Sequence, residues 1–197
     1  METPQTLKEV LAHAEAQLAA AGNDWRHPMH QVVVATADAD QRIMVLRDYD
    51  AETRTLRFHT DARAPKVSVI AAEPAVGLLL YDHDGKLQLR CKGVARIERD
   101  GPVTDTAWAA ATNFAKRCYL APQPPSSAAG APTSNLPADL EGVAPDDDRA
   151  AQGRANFAVL LVTLTSLDWF SLSHEGHRRA GFRFAADGAV EASWLAP

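Results

Sequence analysis

With 197 residues, 46 % of them hydrophobic and 23 % charged, the chain has the length and balance of a protein with one good core, not of a disordered one. A formal net charge of −5 with no long basic run argues against nucleic acid, whose affinity rests on phosphate neutralisation; a small phosphorylated ligand needs only a local cluster of donors. The polar opening Met1–Thr6 gives no signal peptide, the apolar run Phe157–Leu164 is too short for a bilayer, and Cys91 and Cys118 suit buried free thiols, so a soluble cytoplasmic protein with no membrane partner is expected.

Thr6 followed by Glu9 reads as a capping box. Leu7, Val10, Leu11, Ala14, Leu18 and Ala21 then recur at helical spacing, with Gly22-Asn23 as the stop. From Met29 to Ile97 the pattern turns to β. Gln31–Thr36 is a β-branched run, Asp38–Gln41 a turn, and Arg42–Arg47 its hairpin partner. A third strand, Leu56–Thr60, precedes a short helix over Lys66–Glu73 that Pro74 ends. Val76–Tyr81 and Leu87–Ile97 form a second hairpin around the turn Asp82–Gly85. In its last strand Leu87, Leu89 and Cys91 alternate with Gln88, Arg90 and Lys92, which marks one buried face.

Thr104–Cys118 returns to helical spacing. Residues 121–150 form a Pro-, Ala- and Ser-rich insert that cannot bury enough surface to offset its ordering entropy, closed by the acidic run Asp146–Asp148 at a solvated edge. Phe157–Thr165, Trp169–Ser173, Arg178–Phe184 and Val190–Leu195 complete an antiparallel meander. Short strands joined by tight turns point to a barrel or sandwich. The whole chain reads as one mainly β domain, residues 1–197, interrupted by the insert.

Three segments carry candidate chemistry. Arg42–Arg47 is a strand with a cation at either end; Phe58-His59-Thr60 is followed closely by Arg63 and Lys66 at a helix start; Gln88 stands in the strand Leu87–Arg90. A phosphate needs fixed cations and hydroxyl donors, and Thr60, Arg63, Lys66 and Arg42 are of those types. A flavin ring needs backbone or amide partners along its polar edge, which the strand at Met44–Leu46 and the Gln88 amide could supply.

The block Arg42-Ile43-Met44-Val45-Leu46-Arg47-Asp48-Tyr49-Asp50 resembles the strand that opens the flavin site in the pyridoxamine 5′-phosphate oxidase family. Phe58-His59-Thr60, Ala64-Pro65-Lys66, Glu73-Pro74, Leu87-Gln88 and the closing Trp194-Leu195-Ala196-Pro197 follow in the family's order. This resemblance implies a six-stranded antiparallel split β-barrel and a homodimer with flavin mononucleotide (FMN) at the subunit interface. It assigns Arg42, Lys66 and Thr60 to the phosphate, with Arg63 compensating for the family's missing loop cation. Met44, Val45 and Leu46 would line the ring by backbone and side chain, beside Arg47 and His59, with Gln88 at the polar edge. From the second subunit it assigns Trp169 or Phe170 as the aromatic contact and Arg183 as the last flavin arginine.

The chain departs from the pattern in two places. Ala64-Pro65 replaces Ser-Arg in the phosphate loop, and Arg178-Arg179-Ala180-Gly181-Phe182 replaces the substrate signature, so the histidine over a pyridine substrate is absent. A related flavoprotein branch follows, an oxidoreductase acting on another small molecule. Tyr119, Arg178 and Arg179 are its candidate substrate contacts, and no catalytic acid or base is named. The alternative is a non-catalytic flavin- or haem-binding module, with His30, His59 and His174 as candidate axial ligands. The turn His174-Glu175-Gly176-His177 lacks the spacing of a metal-binding helix, so no metal site is expected.

Overall fold

Residues 4–197 are described by a computed structural model. The capping box forms: the Glu9 amide donates to Thr6 Oγ1 at 3.3 Å, and the Thr6 amide donates to Glu9 Oε2 at 3.1 Å. Helix α1 (Leu7–Asn23) buries Val10, Ala14, Leu18 and Ala21, the stripe expected from spacing. Its end differs from expectation. Asn23 is still helical and Asp24 is the extended cap residue, while Gly22 lets the helix lie against β2, since a Cβ there would stand 3.0 Å from Asp48 Cα.

The strands are β1 (Gln31–Ala35), β2 (Gln41–Asp50), β3 (Thr55–Asp61), β4 (Ala75–Asp82), β5 (Leu87–Glu98), β6 (Phe157–Ser171), β7 (Arg178–Phe184) and β8 (Val190–Leu195). They run in the order β3-β2-β1-β4-β5-β6-β7-β8, and β3 also pairs with β6. That extra pairing closes the first six strands into the expected split barrel and leaves β7 and β8 as an appended hairpin. β6 is one strand where two were expected. No turn residue interrupts it near Thr165, and its later part, Ser166–Ser171, is held in register by β7.

The chain divides into two compact units. Among the described residues, the larger comprises those up to 58, 73–96 and 161–197. Its core includes Leu46, Leu80, Leu89, Leu167, Trp169 and Phe182. The smaller comprises residues 59–72 and 97–160. It holds α2 (Pro65–Ala72), α3 (Pro102–Ala110), α4 (Asn113–Lys116) and α5 (Asp147–Ala151). The helix expected over 104–118 is broken: Ala111 is extended and the Thr112 hydroxyl accepts from the Ala115 amide at 3.2 Å, capping a new start. Asp146 likewise caps α5, accepting from the Arg149 amide at 2.7 Å. Within the insert, Leu140 is buried and Asn135 bonds the Gln123 backbone from both ends of its amide. Among the described residues no helix is long and apolar enough to cross a membrane.

Candidate functional site

The β3–α2 connection brings together three of the predicted phosphate residues. Thr60, next to the last residue of β3, is buried, and Lys66 in the first turn of α2 donates from Nζ to Thr60 Oγ1 at 3.3 Å. Arg63 lies between them but is turned onto Asp61. Its amide and Nε donate to Asp61 Oδ1 at 2.8 and 3.0 Å, and Nη2 donates to Oδ2 at 2.7 Å. Its Nη1 donates to the Ala121 carbonyl at 2.9 Å. The hydrogen bonds to Asp61 raise the Arg63 pKa further and keep it charged. His59 packs edge-on against Phe157 at 5.0 Å. Tyr119, a candidate substrate contact, is buried in the same aromatic cluster, 5.1 Å from Phe157 and 5.9 Å from Trp108.

In the larger unit, β2 has an unusual edge. It pairs with β1 from Gln41 to Val45 and with β3 only from Leu46 to Asp50, the change falling at a bulge beside the exposed Arg47. One backbone edge of Gln41–Val45 is therefore left without a strand partner among the described residues, a row of amide donors and acceptors able to receive a planar polar ligand. Alternation corrects one expectation here. The Met44 and Leu46 side chains are buried in the core, so only the backbone and the half-buried Val45 side chain can face a ligand. Arg42 donates to the Val34 carbonyl at 3.3 Å and Thr36 Oγ1 at 3.0 Å, and pairs with Asp40. Gln88 is half-buried opposite Tyr81.

The predicted partner-side residues separate. Trp169 is 1 % exposed and its indole donates to His13 Nδ1 at 3.2 Å, so it is a core residue and not a surface contact for a second subunit; the adjacent Phe170 is the half-exposed member of the pair. Arg179 is bound to Asp168 through Nε at 3.1 Å and Nη2 at 2.8 Å, and Arg90 shares that carboxylate at 2.7 Å. Arg178 is exposed and donates to Gln5 Oε1 at 3.2 Å; Arg183 is exposed on β7. A groove of about 1330 Å³ is lined by residues that include Val33, Gly77, Leu79, Arg90, Arg179 and Arg183. Sequence reading missed Asp61 and Asp168, whose only signal was a carboxylate within reach of each arginine. Of the candidate haem ligands, His30 is bonded to the Ala21 carbonyl at 2.7 Å and His174 is exposed in a turn.

Residues 12–99 match the sequence profile of the pyridoxamine 5′-phosphate oxidase, FMN-binding domain. Over that span the chain resembles this family. The structure is similar to a pyridoxamine 5′-phosphate oxidase-related, FMN-binding protein from Nostoc punctiforme, at 19 % identity over 100 % of both chains with a TM-score of 0.72. It also resembles PhzG from Burkholderia lata, solved with tetrahydrophenazine-1-carboxylic acid, at 17 % identity over 97 % of this chain and 90 % of that one (TM-score 0.65). At these identities the likeness shows the fold. No curated protein matches the sequence. The matched span includes the strand whose backbone edge is left open and the Lys–Thr pair at the next helix start.

Proposed function

We propose that this protein is a cytoplasmic, homodimeric FMN flavoprotein and an oxidoreductase acting on a small molecule other than pyridoxamine 5′-phosphate. The observation that carries the reading is the unpaired backbone edge of β2 within the span that matches the FMN-binding domain. Flavin mononucleotide supplies the hydride chemistry when bound; the chain positions it. Lys66 and the Thr60 hydroxyl receive the phosphate, and the Gln41–Val45 backbone with Gln88 meets the polar edge of the ring. Arg178 is the cation proposed to draw an anionic substrate, since Arg179 is committed to Asp168. Dimerisation is supported by the outer face of the sheet, where Ile43, Val33 and Leu79 stand in one cross-strand row and Ile43 is 65 % exposed.

The test is the visible absorption spectrum of the purified protein before and after incubation with FMN and removal of the excess. Bands near ~375 and ~450 nm are expected, together with reduction by a nicotinamide nucleotide. A colourless protein that retains no added flavin would overturn the reading. Lys66→Ala is expected to weaken FMN binding by about 1.5–3 kcal/mol, the usual worth of a hydrogen bond to a charged group.

A further inference from the structure

The segment Thr60–Lys66 carries the charges of Asp61, Arg63 and Lys66 and so sums to a single positive charge. Its geometry makes that sum effective. Turning the Arg63 side chain outward would break two donations to Asp61 and one to the Ala121 carbonyl. It would also leave a carboxylate whose side chain is only 9 % exposed without its cation, a costly state. The loop backbone is equally committed. The Ala62 amide donates to the Asn156 carbonyl at 2.7 Å, the Ala64 amide to the Asp61 carbonyl at 3.1 Å and the Val67 amide to the Ala64 carbonyl at 2.9 Å. Arg99 ties down the Ala62 carbonyl at 2.8 Å, and Pro65 has no amide to offer. Ala64, 3 % exposed, contributes no hydroxyl. A loop that receives a phosphate dianion presents several outward N–H groups and more than one cation; this one faces inward.

We propose, resting on the flavin reading above, that the 60–66 loop is built for a singly charged phosphate group, with Lys66 and Thr60 as its ligands and Arg63 as a strut held by Asp61. The phosphate of FMN carries roughly two negative charges at pH 7.5, its second pKa being near 6; a phosphodiester carries one. The loop therefore gains little from the second charge. It recognises the ester linkage of a flavin phosphodiester as readily as the terminal phosphate of FMN.

The experiment compares dissociation constants for riboflavin, FMN and the methyl phosphodiester of FMN at pH 7.5, read by quenching of flavin fluorescence. The diester is expected to bind within about threefold of FMN, and both more tightly than riboflavin. Asp61→Asn, which releases Arg63, is expected to tighten FMN at least about fivefold while changing riboflavin less than about twofold. Riboflavin also reports whether that variant keeps its fold. If wild type prefers FMN over the diester by more than about tenfold, or if Asp61→Asn fails to improve FMN while riboflavin still binds, the inference is overturned and the flavin reading stands. If none of the three flavins binds, both are overturned.

Discussion

Val32, Val34, Leu46, Leu78, Leu80 and Leu89 line the inner face of β1, β2, β4 and β5, while Val33, Ile43, Val45, Leu79 and Tyr81 occupy the outer face of the same strands. Both faces are largely apolar, yet the inner residues are at most 5 % exposed and Ile43 on the outer face is 65 % exposed. A sheet with one solvated face ordinarily alternates apolar with polar residues. Here the alternation weakens on β1, β2 and β4, and returns on β5 with Gln88, Arg90 and Lys92. The inner face explains why the chain folds. The outer face carries apolar surface beyond what folding uses, and that excess is what a second copy would cover.

The sharpest way to break this contrast is to truncate one residue on each face. Leu46→Ala should cost about 2–5 kcal/mol, transfer plus cavity, whereas Ile43→Ala should stay within about 0.5 kcal/mol when measured on monomer. Urea unfolding at low protein concentration reads both. Equal losses would mean that the outer face is also closed within the chain. Next in size is Gly93→Ala. A Cβ there would meet the Thr163 carbonyl oxygen at 2.7 Å and Val162 Cγ1 at 2.7 Å, so β5 or β6 must shift, at a cost of about 1–3 kcal/mol. An unchanged midpoint would show that β5 and β6 part without resistance at this crossing.

The same alternation made most of the barrel legible in the sequence, because a period of two is a local property that burial reinforces. Helix α1 was legible for a similar reason, its capping box and apolar stripe being written within four residues of one another. What failed depended on distant partners. Nothing local in Ser166–Asp168 says that β7 will pair with it and carry β6 on without a break. Trp169 and Phe170 are adjacent aromatics, and only the side from which α1 and His13 approach decides which is buried. The loop cation Arg63 was read by type as a phosphate ligand; its pairing with Asp61, two residues away, depends on a turn conformation that residue type does not reveal. The resemblance set Met44, Val45 and Leu46 along the ring by backbone and side chain, but did not reveal the burial of the Met44 and Leu46 side chains.

A smaller effect on stability, but a change of state, is expected from Leu79→Lys. Leu79 is 38 % exposed, lines the groove and stands beside Arg90 across β4–β5. A lysine there leaves the inner core untouched but places like charges opposite one another within any closed interface. Light scattering should show dimer for wild type and monomer for the variant, with monomer stability within about 0.5 kcal/mol. A variant that remains dimeric would remove this face from the interface, and with it the explanation offered for its surplus apolar surface.

The smallest expected effect concerns how α1 is fastened to the inner side of this contrast. Trp169 donates to His13 Nδ1 at 3.2 Å, His13 Nε2 lies 3.3 Å from the Gln17 amide nitrogen, and Gln17 Oε1 lies 3.1 Å from His27 Nε2. The Met29 amide closes the chain on His27 Nδ1 at 3.2 Å. Both histidines therefore accept a hydrogen bond at Nδ1, which a charged imidazolium cannot do. Burial lowers both pKa values from 6.5, for His27 against the opposing pull of Asp82. The unfolded chain then takes up protons before the folded one. The stability tied to neutral His13 and His27 is whole above about pH 6.5 and is lost as pH falls through the lowered folded values. Thermal unfolding midpoints should drop between pH 7 and pH 5 in wild type and drop less in His13→Gln, whose amide oxygen can still accept from the indole. If the two proteins lose the same amount, the acid sensitivity originates in His27 or in groups elsewhere, and the Trp169–His13 bond tolerates a protonated ring.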